Sequence, residues 1–249
     1  MTGTVLGPVV HAFLIDHLVA QRGLRRSTVA SYRDTLRLFL AGYAARHPAR
    51  LLRLWRLAPA LFEYANRGRD HGRLKSRVIR ALLGGVRRAE LDVYVESFVL
   101  TLLPRRRFRA AALATLEAHR AAGDHLVLLS ASPDLYVPRI GRLLGFERTI
   151  CTELTWQGDR LDGALKTQNR RGEEKLRCLE ELRAQYPNTA IVAYGNSAED
   201  LAHMTQADRA VLVNGNAAAR RIADSSAAVG RALPTIQLMV ASTSGGPRL

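Results

Sequence analysis

The spacing of apolar residues divides this chain into two rhythms. From about Pro8 to His47, Val9, Phe13, Leu14 and Leu18 recur at helical intervals until Arg22-Gly23 interrupts them. A second stripe of Val29, Tyr32, Leu36, Phe39 and Leu40 follows the start signal Ser27-Thr28. The pattern stays helical to about Arg105. Leu51, Leu52, Leu54, Trp55, Leu57 and Leu61 form one predicted apolar stripe, and Val78, Ile79, Leu82 and Leu83 another. Gly84-Gly85 marks a break before a helix that begins with Leu91, Val93, Tyr94, Phe98 and Val99.

From Phe108 onward the pattern alternates between helix and strand. A helix over 111–122 ends at Gly123, and Leu126-Val-Leu-Leu129 runs into Ser-Ala-Ser-Pro-Asp134. An apolar run this short, bounded by turn-forming residues, predicts a fully buried strand of a parallel sheet. A helix over 135–144 stops at Gly145, and residues 150–156 and 161–165 around Gln157-Gly158-Asp159 read as a β-hairpin. Then come a helix over 173–185, a buried strand over 190–194, a helix over 200–206 and a strand over 210–213. The stretch after Leu233, rich in Ser, Thr and Gly, is expected to carry no ordered element. Strands alternating with helices predict an α/β fold with a doubly wound parallel sheet. The domain organisation read from the pattern is an N-terminal helical segment over 1–42, a helical cap over 43–105, an α/β core over 106–232 and a tail over 233–249.

Charge changes this picture more than composition does. The chain has 249 residues, 47% of them hydrophobic, and a net charge of +15. Only Lys75, Lys166 and Lys175 among the 37 basic residues are lysines. Such a field attracts nucleic acid, acidic membranes or phosphorylated substrates. The arginines are spread along the chain with few aromatics between them, so a solvated surface is the better reading and nucleic acid is not the expected partner. No stretch has the length of a membrane span, so no membrane partner is expected. The start of the chain lacks the basic and apolar regions of a signal peptide. Two cysteines, Cys151 and Cys178, make neither a disulfide framework nor a metal cluster, and a reduced, cytoplasmic protein is the natural expectation.

Three features then fall at strand ends or a helix start. Ser130 closes one apolar run, and the backbone N–H groups of Ala131 and Ser132 could cradle an anion, although by itself the stretch reads first as an ordinary strand–helix turn with Ser132 or Asp134 as cap. Lys175 follows in Asn169-Arg-Arg-Gly-Glu-Glu-Lys175, and Gly195-Asn-Ser-Ala-Glu-Asp200 closes the next strand. A hydroxyl, an ammonium and an acidic cluster suit a phosphate and a divalent cation.

Together, Ser-Ala-Ser-Pro-Asp-Leu-Tyr, Arg-Gly-Glu-Glu-Lys and Tyr-Gly-Asn-Ser-Ala-Glu-Asp resemble the haloacid dehalogenase superfamily, and specifically its phosphoserine-phosphatase-like branch, subfamily IB. The resemblance spans roughly residues 34–214. It implies a Rossmann-like core with a helical cap, and a Mg²⁺-dependent hydrolysis of a small phosphorylated metabolite. By it, Ser130 and Ala131 bind phosphate, Lys175 is the lysine that neutralises it, and Asn196 and Asp200 hold the metal.

The chain departs from this family at its start. The family's first strand ends in Asp-x-Asp, whose first aspartate attacks phosphorus and whose second is the general acid/base. No Asp-x-Asp occurs anywhere in this sequence. Counting back from Asp34-Thr35, the two aspartates should fall near Arg25 and Ser27. Asp16, in Phe-Leu-Ile-Asp-His-Leu, is the only carboxylate that follows an apolar run there. In the metal-holding motif Asn196 stands where the family has its first aspartate, which removes one negative charge. The alternative functions are a phosphate-binding relative without catalysis, and DNA binding through the N-terminal helices. Residues 8–42, above all 13–40, resemble the N-terminal DNA-binding segment of tyrosine recombinases.

Overall fold

The computed structural model describes residues 35–66, 70–102, 110–195, 198–213 and 236–239. Its elements, in order, are α1 (Thr35–Arg46), a 3₁₀ helix (Pro48–Leu57), α2 (Ala58–Asn66), α3 (His71–Leu83), α4 (Arg88–Leu102) and α5 (Ala110–Ala121). Then follow β1 (Val127–Pro133), α6 (Val137–Leu143), β2 (Arg148–Thr152), β3 (Leu154–Gln157), β4 (Arg160–Leu165) and α7 (Glu173–Gln185). The last are β5 (Val192–Gly195), α8 (Ala198–Met204), β6 (Arg209–Val213) and β7 (Ile236–Met239). The chain forms two compact units: residues 1–101, 132–139 and 152–168 in one, and 102–131, 140–151 and 169–249 in the other.

In the first unit an aromatic cluster ties α1 to α4. The Phe39 ring centroid lies 4.9 Å from Tyr94, 5.1 Å from Phe98 and 5.2 Å from Tyr136. The buried Tyr94 hydroxyl donates to the Phe39 carbonyl at 2.7 Å, so its one polar atom is satisfied inside an apolar cluster. Helix α3 starts where the Asp70 carboxylate accepts from the Arg73 N–H at 2.9 Å, and it buries Ile79, Leu82 and Leu83.

The β3–β4 hairpin also belongs to this unit, although its sequence position places it within the expected core. Two strands alone cannot cover their apolar face, and here a helix covers it. The Ser76 hydroxyl donates to the Gly163 carbonyl at 3.1 Å, and Arg80 pairs with Asp162 at 2.8 Å. At Gly163, with φ +87°, a Cβ would lie 2.9 Å from the Arg80 backbone, so only glycine lets strand and helix approach this closely. The hairpin starts later than the sequence predicts, because residues 148–152 form β2, which pairs with β1.

In the second unit β5, β6 and β7 form a parallel sheet, with Ala193 opposite Ala210 and Leu212 opposite Leu238. Leu179, Ala193, Leu201, Met204, Ala207, Ala210 and Leu212 make its core, burying one side of α7 and α8 against β5 and β6. The stretch after 233 thus supplies a strand, contrary to the expectation of no ordered element, because β6 offers it a full parallel register. Strand β1 departs in the other direction. Val127, Leu128 and Leu129 are half-buried rather than fully buried. Among the described residues its sheet has only two strands, β1 and β2. An apolar run is fully covered only when a sheet continues on both sides and layers pack on both faces.

One predicted stripe is turned differently from its expected role. Of Leu51, Leu52, Leu54, Trp55, Leu57 and Leu61, only Leu57 is buried, while Leu51, Leu52, Trp55 and Leu61 are exposed.

Candidate active site

The end of β5 is where the candidate chemistry converges. Strand β5 closes at Gly195, and α8 starts three residues later, which puts Asp200 in its first turn. At Gly195 a Cβ would fall 2.6 Å from Asp200 Cβ and 2.5 Å from the Met204 sulfur. The absence of a side chain there lets α8 lie directly on the strand end and fixes where Asp200 stands.

Helix α7 supplies the partner. Its first turn carries Glu173 and Glu174, which suit the positive end of a helix. Glu174 is buried between Arg170 and Arg177, and the Arg177 hydrogen bond holds its carboxyl below the usual carboxylate range. One residue on, Lys175 Nζ donates to Asp200 Oδ1 at 2.5 Å. The two side chains are only 15% and 10% exposed. Pairing is what makes burial of both charges tolerable, since removing either leaves the other uncompensated.

His203, one helical turn after Asp200, completes the cluster. It is 5% exposed, and its Nδ1 has no hydrogen-bond partner. Burial, reinforced by the charge of Lys175, pushes it down to about 4, so at neutral pH it is an uncharged imidazole. The sequence analysis did not single it out. The i, i+3 spacing from Asp200 was the available signal, because residues three apart share a helix face.

Ser130 and Ala131, the expected phosphate ligands, lie half-buried in the C-terminal half of β1, in the same unit as Lys175 and Asp200. Asn196 and Asp16 lie outside the described residues, as do the recombinase-like residues 8–34. Asp134, read from sequence only as a cap candidate, is the other strongly perturbed carboxyl. Burial pushes it up to about 6, against the lowering effect of the Leu154 N–H, and its Oδ1 is buried without a hydrogen-bond partner. Both cysteines are buried free thiols. No described helix is long and apolar enough to cross a membrane.

At this strand end a hard cation would meet one described carboxylate, Asp200, which already accepts from Lys175. No group of three or more His, Cys, Asp or Glu side chains suited to a metal occurs among the described residues. Mg²⁺ takes six oxygens in near-octahedral geometry, and a single engaged carboxylate does not by itself fit it. An ammonium held rigidly beside a carboxylate at a parallel strand end does fit a phosphoryl oxygen.

Residues 5–205 match the family of haloacid dehalogenase-like hydrolases. The chain is 34% identical over 159 residues to Protein CicA of Caulobacter vibrioides, covering 61% of this chain and 68% of that protein. Its fold is shared with a protein of unknown function from Bordetella pertussis Tohama I, at a TM-score of 0.65 and 20% identity, over 82% of this chain and 89% of the other. It is shared too with a substrate-bound phosphoserine phosphatase, at a TM-score of 0.55 and 14% identity, over 84% of this chain and 87% of the other. The family match over residues 5–205 leads to one conclusion: the chain belongs to the haloacid dehalogenase-like hydrolases.

Proposed function

We propose that the chain is a phosphoserine-phosphatase-like member of this family that binds the phosphoryl group of a small phosphorylated metabolite and hydrolyses its monoester. In this reading Ser130 Oγ and the Ala131 N–H donate to phosphoryl oxygens and Lys175 neutralises them. The cation that the resemblance implies is Mg²⁺, and Asp200 with Asn196 are the residues that would hold it, although Asp200 alone, already paired with Lys175, does not make a magnesium site. The observation that supports the reading is the buried Lys175–Asp200 pair, an ammonium and a carboxylate held together at the end of a parallel strand.

The covalent route through an aspartyl-phosphate needs a carboxylate facing the phosphorus. Asp16 is the one candidate that the sequence offers. The test is release of 4-nitrophenol from its phosphate ester, with Mg²⁺, by the full chain and by Asp16→Asn and Asp200→Ala variants. Turnover that falls by orders of magnitude in both variants supports the reading, since members of a catalytic unit are not additive. Wild-type turnover no greater than that of Asp200→Ala removes catalysis from it.

A second reading, a phosphate binder without catalysis, is favoured by the absence of Asp-x-Asp from the chain. It expects no turnover, together with a rise in melting temperature on adding phosphate that Lys175→Ala abolishes. Identical melting with and without phosphate argues against it.

A further inference from the structure

The segment Arg50-Leu-Leu-Arg-Leu-Trp-Arg-Leu57 repeats every three residues. Arg50, Arg53 and Arg56 form one row, Leu52 and Trp55 a second, and Leu51, Leu54 and Leu57 a third. In an α-helix each row would drift by roughly 60° per repeat, because 3.6 residues make a turn. This segment is a 3₁₀ helix, with three residues per turn, so side chains three apart stack in straight rows. The three-residue period therefore keeps each row on its own face.

The faces have different surroundings. The arginine row turns to the C-terminal end of α3, where Arg50 donates to the Leu82 carbonyl at 3.1 Å and the Gly84 carbonyl at 3.2 Å. Arg53 reaches Gly84 at 3.3 Å. Cations are favoured at that negative helix end. The third row descends to the buried Leu57. That leaves Leu52 at 74% and Trp55 at 73% exposure, and α2, which follows directly, exposes Leu61 and Phe62, the latter at 73%. Several large exposed apolar side chains gathered in one short segment mark an interaction surface.

Charge identifies what fits it. Residues 46–80 hold ten basic residues and two acidic ones. Of the two, Glu63 is engaged by Arg73 and Arg77, and Asp70 caps α3. The Arg56 guanidinium lies 5.6 Å over the Trp55 ring, at the rim of the apolar face. Exposed tryptophan, leucine and phenylalanine with an arginine stacked on the tryptophan, in a strongly basic stretch, suit a segment that lies in the headgroup region of an anionic bilayer.

We propose that the segment exposing Leu52, Trp55 and Phe62 docks the protein peripherally on an anionic phospholipid surface, with Arg56 meeting lipid phosphates. It departs from the sequence expectation of no membrane partner, which rested on the lack of a spanning segment and on the spread of the arginines along the chain. It is independent of the catalytic reading, because its test measures binding alone.

The full chain, carrying Trp156→Phe so that Trp55 is the only tryptophan, is mixed with vesicles of phosphatidylglycerol and phosphatidylcholine, and separately with vesicles of phosphatidylcholine alone. Expected are sedimentation with the anionic vesicles, a blue shift of Trp55 emission there, and loss of both at high salt. In the otherwise wild-type chain, Leu52→Ser, Trp55→Ser and Phe62→Ser combined should keep the wild-type circular dichroism and reduce sedimentation by about tenfold or more. The proposal is overturned by a wild-type chain that stays in the supernatant with anionic vesicles, or by a triple variant that sediments as well as wild type. Self-association abolished by the triple substitution, without vesicle binding, assigns the face to a second copy of the chain and overturns it too.

Discussion

His203 and Asp134 show how one burial effect acts in opposite directions on two kinds of group. Burial favours the neutral form of each, which lowers the imidazole from 6.5 to about 4 and raises the carboxyl from 3.8 to about 6. For His203, the unfolded chain takes up a proton near 6.5 and the folded chain does not until about 4. Its contribution to stability is complete above 6.5 and is lost as the pH falls towards 4. At one pKa unit per 1.36 kcal/mol this amounts to about 3 kcal/mol. For Asp134 the contribution is complete below 3.8 and is lost as the pH rises through 6, and it is smaller because the side chain is only partly buried. Between pH 4.5 and 6.5 the two slopes oppose one another in the wild-type chain. His203→Gln should therefore make the protein lose stability as pH rises across this window, and Asp134→Asn should make it gain. Thermal melts of the three proteins at pH 4.5, 5.5 and 6.5 check this, and parallel profiles would show that neither group is buried in its neutral form.

At the scale of elements, the site depends on how closely α8 lies on the end of β5. A methyl group at Gly195 would meet Asp200 Cβ and the Met204 sulfur inside van der Waals contact, so α8 must move as a unit. Overpacking of this kind costs about 1–3 kcal/mol. The same movement pulls Asp200 from Lys175, so Gly195→Ala should lower the melting temperature and also weaken phosphate protection. Loss of stability with phosphate protection unchanged would mean that the strand–helix contact does not position the pair. The sequence showed Gly195 and Asp200 as members of one motif because local spacing is what a motif records. Helix α7 was legible over its whole length, Glu173–Gln185, for a similar reason: its start signals and apolar period are local. Features that depend on distant partners were not legible. The incomplete burial of β1 depends on which strands pair beside it, and β7 on the register that β6 offers. The outward turn of Leu52 and Trp55 was hidden because an apolar stripe read with a period of 3.6 implies a buried face. Only the 3₁₀ geometry turns that period into three separate rows.

For the molecule as a whole, the net charge of +15 and the composition of the strand end favour the same ligand. A positive field raises the local concentration of phosphate esters and lowers that of divalent cations. In the proposed reading Asn196 stands where the resemblance expects an aspartate, and among the described residues the carboxylate at that strand end is Asp200, itself paired with Lys175. Phosphate, by contrast, can use the lysine directly. Phosphate should accordingly raise the melting temperature as much in EDTA as in millimolar Mg²⁺, and the rise should shrink with added salt as the field is screened. Asn196→Asp changes the balance by restoring one carboxylate, and affinity at oxygen sites follows the number of charged ligands. That variant should bind Mg²⁺ on the order of tenfold more tightly in titration calorimetry, and its phosphate protection should become Mg²⁺-dependent. A wild-type protein whose phosphate protection disappears in EDTA would show instead that the metal, and not Lys175, dominates recognition of the anion. Lys175→Ala separates the two cases, since it abolishes protection when the lysine carries recognition and leaves it largely intact when the metal does.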